Sequence, residues 1–321
     1  MTCFLGIDSS AYTTSLAIVD EQYNIIADER IPLQVAEGKR GLRQSEALFL
    51  HVKNLPLLFT RIKPYLQGAI TALAVSAFPR RAEDSYMPVF LAGLSQAQVL
   101  SEFTRLPLYR ISHQEGHIMA GLKGNQALMQ KKTPFLAVHF SGGTSELLQV
   151  GWNGSDFMAI ETRMAGKDLH AGQLVDRVGV AMGLSFPSGI QMEELARKSS
   201  QIKLTAIPSA VNDNGFSFSG PENYALQLIK RGAPPEDIAF ATLRVIANTL
   251  EKIILLELGK SGIRDILLVG GVMANSLIRK RLLERLEHPA VGMKLYFAEP
   301  QLSTDNAVGV AMTAAYLNRS K

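Results

Sequence analysis

The chain reads Phe4-Leu5-Gly6-Ile7-Asp8-Ser9-Ser10-Ala11-Tyr12-Thr13-Thr14-Ser15-Leu16-Ala17-Ile18-Val19 near its start, and a similar stretch runs without a gap over Phe135–Val150. Phe, Leu, Ser, Thr, Leu and Val coincide at 4/135, 5/136, 10/141, 13/144, 16/147 and 19/150. Each copy predicts a buried strand, a turn of small residues and a second strand, which is a hairpin. The alternative is a chance match between two apolar hairpins. The repeat favours two lobes of similar construction, each with a turn whose backbone N–H groups suit phosphate oxygens.

A third turn of small residues lies near the C-terminus. Asp265–Val269 predicts a strand, Gly270 and Gly271 follow it, and Leu277–Leu283 predicts an amphipathic helix. A glycine turn before a helix N-terminus is a common nucleotide-binding geometry, although tight strand-to-helix turns also use glycine for steric reasons. Strands alternate with helical segments along the chain, and this alternation indicates an α/β protein.

Two histidines stand four residues apart in Ser112-His113-Gln114-Glu115-Gly116-His117. This spacing places both imidazoles on one face of a helix, where they can bind one metal ion. The zincin protease pattern needs a glutamate directly after the first histidine, and Gln114 occupies that position. The pair therefore favours a metal site and argues against protease activity, while a chance pair on an ordinary helix is the plain alternative.

The composition limits the classes of function. The chain has 321 residues, of which 47% are hydrophobic and 19% charged, so a large core is expected. One cysteine, Cys3, excludes an internal disulfide and fits a reducing cytoplasm. No apolar stretch is long enough to span a membrane, and no signal peptide is expected. The net charge of +4 is compatible with RNA binding without requiring it.

Six motifs resemble those of the TsaD family, and they come in the family's order over nearly the whole chain. They are Leu5-Gly6-Ile7-Asp8-Ser9-Ser10, His113-x-x-x-His117, Ser141-Gly142-Gly143, Phe216-Ser217-Phe218-Ser219-Gly220, Gly270-Gly271-Val272-x-Ala274-Asn275 and Thr304-Asp305-Asn306. The resemblance implies the two-lobed actin/hexokinase/Hsp70 (ASKHA) fold, with duplicated mixed β-sheets flanked by helices. Lobe I would comprise residues 1–110 and 305–321 and lobe II residues 111–304, with nucleotide and metal in the cleft between them.

The resemblance also implies an activity and its cofactors. Members of this family transfer threonylcarbamoyl from an adenylate to the tRNA adenosine that follows the anticodon. They use one divalent metal, iron or zinc, and ATP, ADP or an adenylate. An adenine nucleotide, tRNA and TsaB- or TsaE-like proteins are therefore the expected partners, and a membrane is not.

The family's site residues carry over position by position. The expected metal ligands are His113, His117 and Asp305, although Asp305 could also cap the following helix. Asp8 and Ser10 are the expected catalytic residues. The expected nucleotide-binding residues are Ser141, Gly142, Gly143, Gly172, Asp176, Gly189, Gly271 and Asn275.

The chain departs from the family pattern at the expected site. Tyr12 and Thr13 replace an acidic pair in the first turn, and Phe78–Arg81 replaces a glycine-rich loop with bulk and positive charge. Two hypotheses follow: an enzyme that still transfers threonylcarbamoyl or a related acyl group, or a degenerate paralogue that serves as a nucleotide-binding regulatory or scaffold partner. The retained metal ligands favour the enzyme and the lost carboxylates favour the paralogue. A sugar or acetate kinase of the same superfamily is disfavoured, because such kinases need an acidic general base.

Overall fold

The computed structural model describes residues 2–10, 12–34, 42–66, 68–81, 85–153, 157–199 and 206–319, which contain twelve strands and ten α-helices. The strands are β1 (Thr2–Asp8), β2 (Thr13–Asp20), β3 (Ile25–Pro32), β4 (Ala69–Phe78), β5 (Leu108–Ser112), β6 (Phe135–Phe140), β7 (Ser145–Asn153), β8 (Phe157–Ala165), β9 (Ala210–Asn212), β10 (Gly215–Ser217), β11 (Asp265–Val269) and β12 (Lys294–Phe297). The helices are α1 (Gln44–Ile62), α2 (Phe90–Thr104), α3 (His113–Leu122), α4 (Gln126–Lys131), α5 (Ala171–Ala181), α6 (Gly189–Arg197), α7 (Ser219–Lys230), α8 (Pro235–Ser261), α9 (Ser276–Leu286) and α10 (Val308–Arg319).

The sequence repeat corresponds to two hairpins with the same strand register. β1 and β2 pair antiparallel with Phe4 opposite Val19, and β6 and β7 pair antiparallel with Phe135 opposite Val150. These are the first and last positions of the two aligned stretches. The predicted duplication is therefore confirmed at the level of individual residue pairs.

The two five-stranded sheets also share one topology. The first sheet has the order β3-β2-β1-β4-β5 and the second has the order β8-β7-β6-β11-β12. In each sheet the first three strands in this order pair antiparallel with one another. The fourth strand pairs parallel with the third, and the fifth pairs parallel with the fourth. Duplicated mixed sheets flanked by helices are the expected fold class, which is thus confirmed.

The chain folds as two units, Met1–Gly124 with Gln301–Lys321 and Asn125–Pro300. The sequence had assigned residues 111–304 to the second lobe. In the structure α3 belongs to the first unit, because it packs against α10 and lies beside β4 and β5.

Helix α10 packs closely on both β1 and α3 in the first unit. A Cβ atom on Gly6 would collide with the backbone of Ala307 and Ala311. Likewise a Cβ atom on Gly309 would collide with the backbone carbonyl oxygen of Gly116. These two glycines permit the close approach that brings the C-terminal segment to the end of β1 and to the start of α3.

The second unit has its own apolar core. Every residue of β6 is buried, as expected for a central strand covered on both faces, and α8 buries a long apolar face against α6 and α9. Between α6 and α7 the chain forms the short β9–β10 hairpin.

Among the described residues, no helix combines the length and the apolar character needed to cross a membrane.

Candidate functional site

The N-terminus of α3 is held by a reciprocal cap. The Ser112 hydroxyl accepts a hydrogen bond from the Glu115 N–H (3.1 Å), and the Glu115 carboxylate accepts one from the Ser112 N–H (2.6 Å). Arg81 Nε donates to the other oxygen of Glu115 at 2.8 Å. This carboxylate is fully buried and engaged in structure, so it is unsuited to serve as the base of a zincin protease.

Three side chains converge at the start of α3. His117 Nε2 lies 2.9 Å from His113 Nε2, as expected for histidines four residues apart on one helix. Asp305 Oδ1 lies 3.5 Å from His113 Nε2 and 3.3 Å from His117 Nε2. The structure thus brings together the three residues that the sequence predicted as metal ligands.

This cluster has the chemistry and spacing of a metal site. Two imidazoles and one carboxylate form a donor set used by zinc and by non-haem iron. Ligand atoms about 2.0–2.1 Å from a tetrahedral ion lie roughly 3.4 Å from one another. The observed separations of 2.9 to 3.5 Å are close to that value, so the residues fit one divalent ion.

Asp8 supports His113 from the other side of the ring. Asp8 Oδ1 lies 3.3 Å from His113 Nδ1, and its Oδ2 accepts a hydrogen bond from the Ser10 hydroxyl at 2.6 Å. Both Asp8 and Ser10 are buried. A carboxylate on the second nitrogen of a metal-binding histidine sets the orientation and tautomer of the ring. The geometry therefore links the two expected catalytic residues to the metal ligands.

The charges of the cluster shift its pKa values. Burial acts to lower the pKa of His113, but the adjacent carboxylates of Asp8 and Asp305 outweigh it and raise that pKa to about 10. Burial and the positive charge of His113 lower the pKa of His117. Burial acts to raise the pKa of Asp305, but its hydrogen bonds to the two histidines dominate and lower it. His113 therefore holds a proton that a bound metal ion must displace.

Asp305 is available as a ligand because its neighbour caps α10. Asn306 Oδ1 accepts hydrogen bonds from the N–H groups of Val308 (3.0 Å) and Gly309 (3.4 Å). The alternative role of Asp305 as the helix cap is therefore filled by Asn306. Asn306 was not among the expected site residues, although an asparagine just before an apolar helix is a recognisable capping signal.

The Ser141 turn in the second unit leaves its glycines open. The Ser141 hydroxyl accepts hydrogen bonds from the N–H groups of Gly143 (3.2 Å) and Thr144 (3.1 Å). A Cβ atom on Gly142 or Gly143 would meet no atom within 4 Å. Gly172 is different, because a Cβ atom there would lie 2.7 Å from the backbone nitrogen of Gly142. Gly172 is thus required for packing, whereas Gly142 and Gly143 border open space.

The predicted glycine turn at Gly270 and Gly271 lies beside the Ser141 turn. β11 runs parallel to β6, with Val269 opposite His139, so both turns occupy the same edge of the second sheet. Gly270 has a φ of 97°, and a Cβ atom there would collide with the backbone of Phe140. Gly271 borders open space. Asn275 accepts hydrogen bonds from the Leu277 and Ile278 N–H groups, both at 3.1 Å, and thereby caps α9.

The remaining predicted nucleotide residues, Asp176 and Gly189, lie close together at the start of α6. Asp176 accepts a hydrogen bond from the Ser188 N–H at 2.8 Å, directly before Gly189 begins the helix, and burial raises the pKa of Asp176. One turn further along α6, Glu193 accepts a hydrogen bond from the Ser276 hydroxyl at 2.5 Å at the start of α9. This Glu193–Ser276 hydrogen bond was not predicted from the sequence. Nothing in the local pattern signals it, because the partners lie on separate helices.

Comparison with solved structures supports the fold. Component A of (R)-2-hydroxyglutaryl-CoA dehydratase from Acidaminococcus fermentans is 15% identical, covers 99% of this chain and 100% of its own, and superposes with a TM-score of 0.59. A ROK family glucokinase from Streptomyces griseus, solved with glucose and AMPPNP, is 12% identical, with 98% and 99% coverage and a TM-score of 0.56. At this identity the likeness concerns the fold alone.

The duplicated sheets and these neighbours define an ASKHA-fold protein, and its first unit carries a candidate metal centre. Residues 86–312 match the family described as tRNA N6-adenosine threonylcarbamoyltransferase, TsaD. The chain belongs to the TsaD family.

Individual relatives align with nearly the whole chain. A tRNA N6-adenosine threonylcarbamoyltransferase of Thermotoga neapolitana is 28% identical over 321 residues, which cover 96% of this chain and 91% of the relative. One of Archaeoglobus fulgidus is 29% identical over 312 residues, with 96% and 89% coverage. These relatives support a transferase that modifies tRNA.

Proposed function

We propose that this protein transfers a threonylcarbamoyl group from threonylcarbamoyl-adenylate to the tRNA adenosine next to the anticodon. The observation that carries the proposal is the cluster of His113, His117 and Asp305, with Asp8 behind His113, in a chain of the TsaD family. Three buried or half-buried ligands held within hydrogen-bonding distance are costly to maintain without a function. Their retention favours an enzyme over a scaffold.

In this proposal some residues of the chain bind the metal ion, and others position the metal-binding side chains. His113, His117 and Asp305 would hold one divalent metal ion, iron or zinc. When bound, such an ion polarises a carbonyl group or binds a phosphate oxygen. Asp8 is buried and engaged by Ser10, so it acts through His113 by fixing the ring, rather than by direct contact with substrate. The assignment of Asp8 and Ser10 as catalytic residues stays a prediction, and a positioning role fits their contacts better.

The nucleotide is proposed to bind the second unit. The open backbone at Gly142, Gly143 and Gly271 suits phosphate oxygens, which need close approach to N–H groups. Asp176 and Gly189 are proposed at the ribose, and Asn275 near the base. Gly172, which packs against the backbone of Gly142, is proposed to bind the nucleotide as well.

A tRNA substrate implies a cytoplasmic protein, and TsaB- or TsaE-like proteins are proposed as its partners in the modification reaction.

The exposed Tyr12 and the neighbouring Thr13, where the family has acidic residues, favour a second candidate function. In that case the chain is a nucleotide-binding regulatory partner without transferase activity of its own.

One experiment separates the two candidates. The protein is purified anaerobically without added metal, bound iron and zinc are counted by elemental mass spectrometry, and transfer is assayed with threonylcarbamoyl-adenylate and tRNA. The enzyme predicts about one ion per chain and modified adenosine in the digested tRNA, both lost in His117→Ala. His288→Ala, at an exposed histidine outside the cluster, is the matched control and should change neither. A metal-free wild-type protein without transfer, even after reconstitution, would favour the regulatory partner.

A further inference from the structure

Helices α8 and α9 line a partly open cavity on the second unit. Its volume is about 180 Å³. Phe240 and Leu277 contribute apolar surface, while Arg244, Lys280, Arg281 and Glu284 contribute charge. The exposed residues Arg244, Lys280 and Glu284 place charged groups at its rim.

The positive charge of this cavity is incompletely neutralised. Glu251 accepts hydrogen bonds from both Arg281 Nη2 (3.1 Å) and Arg285 Nε (2.8 Å), so one carboxylate serves two guanidinium groups. Lys280 and Glu284 form an exposed pair with 3.9 Å between Nζ and Oε1, a distance at which the attraction is weak. Within the described ranges, Arg244 has no carboxylate at ion-pair distance and contacts the ring of Phe240.

Arg244 and Arg281 both line the cavity, so their like charges oppose each other there. Burial lowers the pKa of the Arg281 guanidinium, and the positive charge of Arg244 lowers it further. An anion bound between these two side chains would relieve that repulsion and form charge-assisted hydrogen bonds with both. The arrangement of cavity, apolar wall and excess positive charge is thus suited to an anionic group attached to an apolar one.

We propose that the α8–α9 cavity binds one phosphodiester group of an RNA chain, with Arg244 and Lys280 as its exposed contacts. Arginine and lysine are the usual partners of RNA phosphates, and Phe240 adds a ring face on which a base or sugar can pack. Only the choice of tRNA as the RNA rests on the proposed function.

The size of the cavity favours a polymer over a free nucleotide. Pockets that enclose a whole small-molecule ligand usually measure about 300–1,000 Å³. A cavity of about 180 Å³ accommodates part of a nucleotide, and the remainder has to lie outside. The exposed Arg285 and Lys280 extend the positive surface along α9, where the neighbouring phosphates of an RNA chain would run.

The test compares two variants of the full-length protein in tRNA binding. Arg244→Gln combined with Lys280→Gln removes two charges at the rim without changing the buried Glu251 network. Lys260→Gln, an exposed lysine near the C-terminal end of α8, removes a charge from the same helix at about 24 Å from Arg244. Fluorescence anisotropy measures the affinity for tRNA between about 50 and 200 mM salt.

We expect the double variant to bind tRNA about 3- to 10-fold more weakly and to reduce the slope of log affinity against log salt by about 1 to 2. Lys260→Gln should leave both close to wild type. Unchanged tRNA affinity and salt slope in the double variant would overturn the proposal. So would AMP or inorganic phosphate binding that depends on Arg244 while tRNA binding does not, since that result indicates a small-molecule site.

The same preparations are assayed for threonylcarbamoyl transfer, so that the two proposals fail separately. If tRNA binding depends on Arg244 but no transfer occurs, the result supports RNA binding at the cavity and contradicts the proposed function. If transfer occurs but tRNA binding does not depend on Arg244, the result contradicts RNA binding at the cavity and supports the proposed function.

Discussion

Asp8 Oδ1 and His113 Nδ1 lie 3.3 Å apart, on the side of the imidazole ring opposite to the nitrogen that faces Asp305. The contact joins the end of β1 to the first residue of α3, two elements that are distant in sequence. It fixes both the position of the ring and the nitrogen that is free for a metal ion.

Asp8→Asn should weaken metal binding about 10- to 100-fold, because the histidine loses the carboxylate that orients it and supports its basicity. The amide is similar in size, so the fold should be retained, which circular dichroism can check. Metal affinity is measured by competition with a chelator. Ser10→Ala removes only the hydrogen bond to Asp8 and should have a smaller effect. Wild-type affinity in Asp8→Asn would show that Asp8 does not position His113.

Metal affinity should increase with pH. A proton on His113 competes with the metal. Burial acts to lower the pKa of His113, but the carboxylates of Asp8 and Asp305 outweigh burial and raise this pKa to about 10. The site therefore releases a proton on binding at neutral pH, and the apparent affinity should rise about tenfold per pH unit between roughly pH 7 and 9. Titration in two buffers with different ionisation enthalpies measures the proton release directly. A flat profile would mean that His113 is already neutral at pH 7.

Gly309→Ala should destabilise the first unit by about 1–3 kcal/mol or more, because its methyl group would collide with the carbonyl of Gly116. Gly259→Ala is the matched control, since a Cβ atom at that position in α8 meets nothing within 4 Å. The control should be neutral or stabilising by up to about 1 kcal/mol, as alanine favours the helix. Urea denaturation of both variants compares the two. Equal stability would show that α10 and α3 can move apart at little cost.

Gly142→Ala should reduce nucleotide affinity while leaving thermal stability unchanged. Its methyl group would meet no protein atom within 4 Å, but it would occupy the space in which the phosphates are proposed to bind. Gly172→Ala, in contrast, would press against the backbone of Gly142 and should lower stability and affinity together. Calorimetric titration with ADP and a melting curve separate these effects. Normal ADP affinity in Gly142→Ala would place the phosphates elsewhere.

Several parts of this protein follow from local sequence patterns. The two hairpins were predictable because alternating strand segments around a turn of small residues specify antiparallel pairing, and the repeat carried the register of Phe4 with Val19 and Phe135 with Val150. The proximity of His113 and His117 follows from the helical period alone. The family resemblance then indicated Asp305 as the third ligand, although no local pattern connects it to the histidines.

Tertiary structure decided the contacts between distant segments. The close packing of α10 on β1 and α3, made possible by Gly6 and Gly309, brings Asp305 and Asp8 to His113. The same packing places α3 in the first unit, and it leaves the capping of α10 to Asn306. The balance of charge around Arg244 and Arg281 likewise exists only once α8 and α9 are side by side. Local sequence determines which elements form and which side chains they carry, but the distances between elements depend on sheet order and helix packing, to which residues far apart in the chain contribute jointly.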